Sequence, residues 1–429
     1  MVTQIHSYKK MAGLTLLLAA LSLENSFSQP PQMITLEQCY QLARKNYPLI
    51  NQKDLIRKTR DYSVENASKG YLPQWNSGGQ ITYQSEVTGI PFKIPGFEIP
   101  TLSKTQYKVY GEIDQTIYDG GEIHLQKQTD NVNASIQDQN IEVQLYTLKD
   151  RINQVYFGIL LFIEQIKQNE LQQSDLEQVV KATQAAVDNG SGYRSNLDEA
   201  KVELLKSQQN NINLRATKAG YLTVLGLFIN QKLDDSTRFE WPVETVINPA
   251  INRPELRVYD YQKMLYDVQQ KQLSAELRPK FAAFIQGGYS LPGLNFLKTT
   301  PEFYYIGGIK MDWPLGSLYT LKNNKRILDI YRKTQDIEKE TFLFNTNQSL
   351  EQQNSDIIKY QQLIKKDNDI IVLRTSIKNA GISQAQNGVI TVHDFLTYVN
   401  DENSAIQDRL LHQVQLLLAE YSYKTTSGN

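Results

Sequence analysis

Two stretches of this chain contain almost nothing that ends a helix. Between Glu122 and Val187 there is no proline and a single glycine, Gly158, and between Ser317 and Ala380 there is neither. Proline removes a backbone donor and clashes with the preceding turn, and glycine carries extra backbone entropy, so their absence permits helices far longer than the 8–20 residues of ordinary globular ones. At 1.5 Å per residue each stretch would span roughly 95–100 Å if unbroken. Apolar residues recur along both at mixed spacings of three and four. Leu145, Leu148, Ile152, Val155 and Ile159 mark the first, and Ile327, Ile330, Ile337, Phe344, Ile357, Tyr360, Leu363 and Ile364 the second, with Gln, Asn and Lys between. Such an imperfect heptad predicts coiled-coil-like seams that face neighbours, and no single central core. Each run ends at a glycine-bearing turn, Asp188-Asn189-Gly190-Ser191-Gly192 or Gln386-Asn387-Gly388. Return helices follow, from Leu197 to about Ile229 and from His393 to about Tyr423, so the chain is expected to form two long antiparallel α-hairpins.

The rest of the sequence repeats around these hairpins. A helical stretch closing at Gly70-Tyr71-Leu72-Pro73 is matched by one closing at Glu276-Leu277-Arg278-Pro279, and each proline hands over to an extended segment. These segments alternate with a period of two. Tyr107, Val109, Ile113 and Ile117 fall on one face, and Lys108, Glu112, Asp114 and Thr116 on the other. Phe303, Tyr305, Ile309, Met311 and Trp313 oppose Lys310 and Asp312, and Phe281, Ala283, Ile285, Tyr289 and Leu291 form a further apolar row. The expected plan is a first repeat over 29–240, with strands about 77–87 and 105–118 and an α-hairpin about 121–230. A second repeat over 241–429 has strands about 281–291 and 303–314 and an α-hairpin about 317–424. Strands of this length, apolar on one side and bordered by aromatic rings, suit the crossing of an outer membrane, although a half-buried soluble sheet would alternate in the same way. The proline- and glycine-bearing segments Ile90 to Pro100 and Leu291 to Pro301 resemble the outward loops of such barrels.

Composition removes most other classes. The 45 basic and 46 acidic residues nearly cancel, and no basic tract suits a run of phosphates, so nucleic acid is not an expected partner. One cysteine, Cys39, and four histidines leave no disulfide framework and few parts for a metal or Cys-His site. No cofactor and no enzymatic activity are expected. At the N-terminus Lys9 and Lys10 precede the apolar run Met11 to Leu23, with small residues Ser26 and Ser28 beyond it, which reads as an export signal over 1–28. A run of thirteen residues falls short of the roughly 20 that a spanning helix needs. No later window looks like a transmembrane helix.

Four membrane strands cannot seal themselves. The smallest outer-membrane barrels have eight, and an open edge in lipid leaves backbone groups unsatisfied at several kcal/mol each. A chain of this plan must share its barrel with copies of itself; two would give a filled eight-stranded barrel and three a twelve-stranded one with a passage.

Several segments resemble the TolC-like outer membrane efflux protein family. They are Thr35-Leu36-Glu37-Gln38, Asn46-Tyr47-Pro48, Gly70-Tyr71-Leu72-Pro73-Gln74 and Gln115-Thr116-Ile117-Tyr118-Asp119-Gly120-Gly121, followed by Trp313-Pro314-Leu315-Gly316-Ser317 and the tips Gly192 to Ala200 and Gly388 to Thr397. Together they cover the mature chain in order. The resemblance implies a mainly α protein with a membrane β-barrel portion, in which long antiparallel α-hairpins form an α-barrel. Four β-strands per chain would join a shared 12-stranded barrel in a homotrimer. It also implies a passive exit duct in the outer-membrane lipid, with a long periplasmic extension. A periplasmic adaptor would link it to an inner-membrane RND or ABC transporter in efflux or type I secretion. A surface coiled-coil structural or adhesive protein is the alternative, but would not need the paired strands.

By the same resemblance Asp198 and Asp394, each six residues after a tip glycine, are expected to ring the periplasmic entrance. Helix capping is the competing role for these carboxylates. Gly192, Tyr193, Arg194 and Gly388 are the expected adaptor-docking positions, and Pro73, Gly120, Gly121, Pro279 and Pro314 the helix-strand junctions. His393 beside Asp394 offers a pH-dependent charge. Thr397 and Ile390 depart from the closing network of some relatives, whose gating bonds are therefore not expected here.

Overall fold

The computed structural model describes residues 33–89, 95–96, 101–243 and 248–429. The expected export signal and most of the first proline-rich loop lie outside these residues. Packing divides the chain into two compact units, each drawing on both sequence repeats: one holds 147–249 and 349–427 with the start of the chain, the other 48–146 and 250–348 with the last two residues.

The second of these units contains the sheet. Its strands are β1 (Gln74–Tyr83), β2 (Thr105–Tyr118), β3 (Lys280–Leu291) and β4 (Glu302–Asp312), all antiparallel in the order β1-β2-β3-β4. β1 starts three residues earlier and ends four residues earlier than its hydrophobic row predicts, because the chain becomes extended directly after Pro73. The helices of this unit are α2 (Gln52–Ser68), α3 (Glu122–Tyr146), α6 (Glu255–Ala275) and the first part of α7 (Leu318–Gln386). Leu125 and Val132 on α3 meet Val268 and Ala275 on α6, each pair seven residues apart, with Ile136 and Leu265 beside them. The seven-residue spacing makes this a coiled-coil-like seam within the unit. Along α6 and α7, Lys263–Asp336, Lys339–Asp260 and Arg332–Asp267 form a ladder of ion pairs.

The other unit holds α1 (Leu36–Asn46), α4 (Leu148–Asp188), α5 (Arg194–Ile229), the rest of α7 and α8 (Val392–Ser427). Thr35 and Gln38 close a reciprocal capping box on α1, and Asn230 ends α5 in the left-handed region at φ 53°. Tyr156, Phe157, Ile152 and Leu160 are fully buried, with the Tyr156 ring edge-on to Phe239 at 5.5 Å. The Tyr156 hydroxyl lies 2.7 Å from both the Ile34 and Glu240 carbonyls, where Ile34 also bridges to Phe239. Further along, polar residues join the helices: Asn169 donates to the Ser207 carbonyl, Gln172 to Asn400, and Asn403 to Gln172. These amides explain why the apolar heptad is interrupted without loss of packing, since each of them is paired across helices.

The first long run is broken at Thr147, between α3 and α4, whereas the second is one helix of 69 residues after a short 3-10 turn at Leu315–Ser317. Among the described residues no helix is long and apolar enough to cross a membrane.

Candidate functional site

The register separates the two faces of the sheet. Trp75, Ile113, Ile285 and Gly307 share one rung, and Gly79, Val109, Tyr289 and Phe303 another. With Ile81, Tyr83, Tyr107, Phe281, Tyr305, Ile309 and Met311, they make one face continuously apolar. Among the described residues nothing covers it: Ile81 is 80 % exposed, Phe303 86 % and Ile309 72 %. Leaving so many large apolar side chains in water would forfeit about 1.5–3 kcal/mol each, so the face fits an apolar solvent. From Phe303 to Trp313 the chain advances about 33 Å along the strand, or roughly 25 Å when tilted, the height of an outer-membrane apolar band. Tyr83, Tyr107, Tyr289 and Phe303 border one end of this band and Tyr118 and Trp313 the other, as interfacial girdles do.

The opposite face is polar. Glu112 receives a hydrogen bond from Gln286 Nε2 at 2.6 Å and an ion pair from Lys310 at 3.2 Å, and Lys310 also pairs with Asp114. Asn76 donates to Asp114, and Tyr304 to Gln286. β1 and β4 lie at the two edges of the sheet, and among the described residues no further strand pairs with either.

The junction residues tie the sheet to its helices. Gly120 and Gly121 have φ of +73° and +93°, and the Asp119 carboxylate accepts from the N–H groups of Gly121 and Ile123, starting α3. Arg278 donates to the Gly120 carbonyl, Lys280 pairs with Glu122 at 2.5 Å, and Trp313 Nε1 donates to the Leu277 carbonyl. Pro73 and Pro279 immediately precede β1 and β3, and Pro314 stands between β4 and the 3-10 turn.

At the tips, sequence-matched positions differ in structure. Asp394 accepts from Thr391 N at 3.0 Å and Oγ1 at 2.6 Å, while Thr391 Oγ1 accepts from Asp394 N, so it caps α8. The Thr391 hydroxyl holds its carboxyl below the usual range. Asp198 caps nothing and pairs with Arg194 at 3.2 Å. In the first tip the positive φ belongs to Gly190, at +70°, and Gly192 is required for closeness, since a Cβ there would lie 2.9 Å from Ala186. Gly388 has φ +71° with open space around it, and Tyr193 is 78 % exposed. His393 Nδ1 lies 2.5 Å from Glu199, linking α8 to α5. That contact was not legible from sequence, because the two residues are 194 positions apart. Under it, Leu176, Val179, Ala200, Leu396 and Val399 form an apolar core.

Apolar residues at seven-residue spacing stay exposed among the described residues on α2 (Leu55, Tyr62), α5 (Leu205, Ile212) and α7 (Ile330, Ile337, Phe344). Among the described residues no group of His, Cys, Asp or Glu is arranged to hold a metal.

The sequence profile of the outer membrane efflux protein family matches residues 39–241. No curated protein sequence matches the chain. Solved structures share its fold. The outer membrane protein VceC of Vibrio cholerae aligns with TM-score 0.66 at 10% identity, over 92% of this chain and 96% of that one. The open-state outer membrane channel MtrE of Neisseria gonorrhoeae gives 0.66 at 13% identity, covering 92% and 89%. CusC, whose structures describe folding and transmembrane channel formation, gives 0.65 at 13% identity over 94% and 95%. The family's members are passive conduits of the outer membrane with a long helical periplasmic extension, and its channels are trimeric. On the profile match over residues 39–241 and the fold shared across more than nine-tenths of its length, this chain resembles the outer membrane efflux protein family.

Proposed function

We propose that three copies of this chain close one 12-stranded barrel, and that the trimer is the passive exit duct of a tripartite efflux or type I secretion machine. The observation that carries the reading is the four-stranded sheet with one apolar face uncovered and both edges open. Lipid satisfies the face, and neighbouring copies satisfy the edges. The exposed seams on α2, α5 and α7 supply matching helical contacts with the same neighbours. Polar residues on the other face then line a water-filled passage.

In this reading an inner-membrane RND or ABC transporter supplies the energy and a periplasmic adaptor delivers the connection. Gly192, Tyr193, Arg194 and Gly388 present the tip surface to that adaptor. Asp198 and Asp394 place negative charge at the entrance, which triplication would amplify into a preference for cations. Asp394 serves its helix at the same time.

Reconstitution tests this directly. Purified protein should migrate as a trimer and give stepwise ion conductance in planar bilayers. A monomer that stays soluble without detergent and never conducts would overturn the proposal.

A further inference from the structure

We propose that the polar face of the sheet carries a subsite for small aromatic anions, formed by Lys108 with the rings of Tyr110 and Tyr304. It rests on the reading above that this face lines the passage. The subsite begins with one rung of the sheet, Gly78–Tyr110–Gly288–Tyr304, in which glycine and tyrosine alternate over four strands. A Cβ on Gly78 would lie 2.9 Å from the Tyr110 hydroxyl and 3.0 Å from its ring, and a Cβ on Gly288 would lie 2.8 Å from Tyr304. Each ring therefore lies across the backbone of the strand beside it, in space that only glycine leaves. Rings seated in this way present a flat π surface on the polar face. The Tyr304 hydroxyl donates to Gln286 Oε1 at 3.2 Å, and Gln286 in turn donates to Glu112, so that ring is held in its orientation.

Lys108 occupies the neighbouring rung on the same face. Its Nζ lies 4.6 Å from the Tyr110 ring centre and 5.5 Å from that of Tyr304. Among the described residues no carboxylate lies within ion-pair distance of it. The other lysines of the strands and their second loop differ: Lys310 pairs with Glu112 and Asp114, Lys280 with Glu122 and Lys298 with Glu302. Glu112 stands four residues along the strand from Lys108, roughly 13 Å away, and is already engaged. Glu302 shares its rung two strands away and is held by Lys298, so Lys108 offers ammonium donors held by π faces with no carboxylate of the described residues in contact. A planar ring stacks on the tyrosines while its carboxylate or sulfonate meets the ammonium.

Closure by three copies multiplies the effect. Twelve strands about 4.8 Å apart at a tilt near 40° give a backbone radius of roughly 12 Å. Three ammonium groups around such a passage overlap electrostatically in dilute salt, where the Debye length is about 30 Å, and far less at 1 M, where it is about 3 Å.

The experiment is conductance block in planar bilayers with three probes: benzoate, cyclohexanecarboxylate and benzyl alcohol. Benzoate should block most strongly, cyclohexanecarboxylate less and benzyl alcohol least, with the benzoate effect fading as salt rises. Lys108→Gln should weaken benzoate block about tenfold in dilute salt and shift the reversal potential toward cations. Tyr304→Leu should weaken benzoate block severalfold and leave the reversal potential unchanged. Trimer migration of each variant, together with the salt dependence of the unaltered protein, separates loss of the subsite from loss of folding. Equal block by the two carboxylates, or an unchanged reversal potential in Lys108→Gln, would overturn the subsite while the channel stands. Absence of any conductance in the unaltered protein would overturn both.

Discussion

The two faces of β3 can be set against each other with a pair of adjacent substitutions. Ile285 stands at the middle of the strand on the apolar face, opposite Ile113 and Gly307, and is 55 % exposed within the chain. Gln286 follows it on the polar face beside Glu112. Arginine at mid-membrane on the lipid side of a barrel costs about 2–4 kcal/mol, so Ile285→Arg should cost roughly 6–12 kcal/mol per trimer. Gln286→Arg gives up hydrogen bonds to Glu112 and from Tyr304 but places a cation against that carboxylate, so its net effect should stay within about 1 kcal/mol per chain. The assay is the fraction of folded trimer in lipid vesicles along a urea series, with both variants prepared identically. Ile285→Arg should fail to assemble or unfold at much lower urea, and Gln286→Arg should track the unaltered protein. Equal tolerance of both, or greater damage from Gln286→Arg, would refute the assignment of lipid to the Ile285 face.

Three further outcomes are expected. Tyr156→Phe deprives the Ile34 and Glu240 carbonyls of their shared donor and should lower stability to denaturant by about 1–3 kcal/mol per chain while leaving conductance intact. Asp394→Asn preserves an acceptor for Thr391 but removes the charge; loss of cation preference with normal amide protection at the start of α8 assigns Asp394 to the entrance, and unchanged selectivity leaves it as a cap alone. The hydrogen bond to Glu199 raises His393 above its ordinary value of 6.5. Its stabilisation is therefore complete below that ordinary value and is lost as pH rises through the raised one. Amide exchange at the first turn of α8 should accelerate from mildly acidic to mildly alkaline conditions beyond its intrinsic pH dependence. His393→Gln should remove that excess, and the same excess in the variant would contradict the link.

Much of the fold is written in residue spacing. Period-two rows such as Tyr107, Val109 and Ile113 define a face whichever environment it meets, and the proline-free runs fix the helices. The position of β1 was harder to read, since Gly78 and Gly79 have little strand character of their own and Gly78 is required by the Tyr110 ring from the next strand. The break at Thr147 carries no proline or glycine to announce it. Tip chemistry was legible only in part: Asp198 and Asp394 match in spacing, yet one pairs with Arg194 and the other caps with Thr391. Position 391 is threonine, whereas the equivalent residue before Asp198 is Ser195, already inside a helix that starts at Arg194. Contacts between distant segments, such as His393 with Glu199 and Tyr304 over Gly288, depend on packing and register that no local pattern encodes.

Closure of the sheet by neighbouring copies can be measured as a disulfide. Gln80→Cys on β1 would be combined in turn with a cysteine at each polar-face position of β4, then oxidised in the membrane. Within one chain these edges stand about 14 Å apart, beyond the roughly 7 Å that a disulfide can bridge. The native thiol does not interfere, because Cys39 is fully buried and burial pushes its pKa up to about 12. The account predicts that at least one combination gives a covalent ladder ending at three chains and that neither single cysteine does. Single chains only, at every position tried, would contradict it.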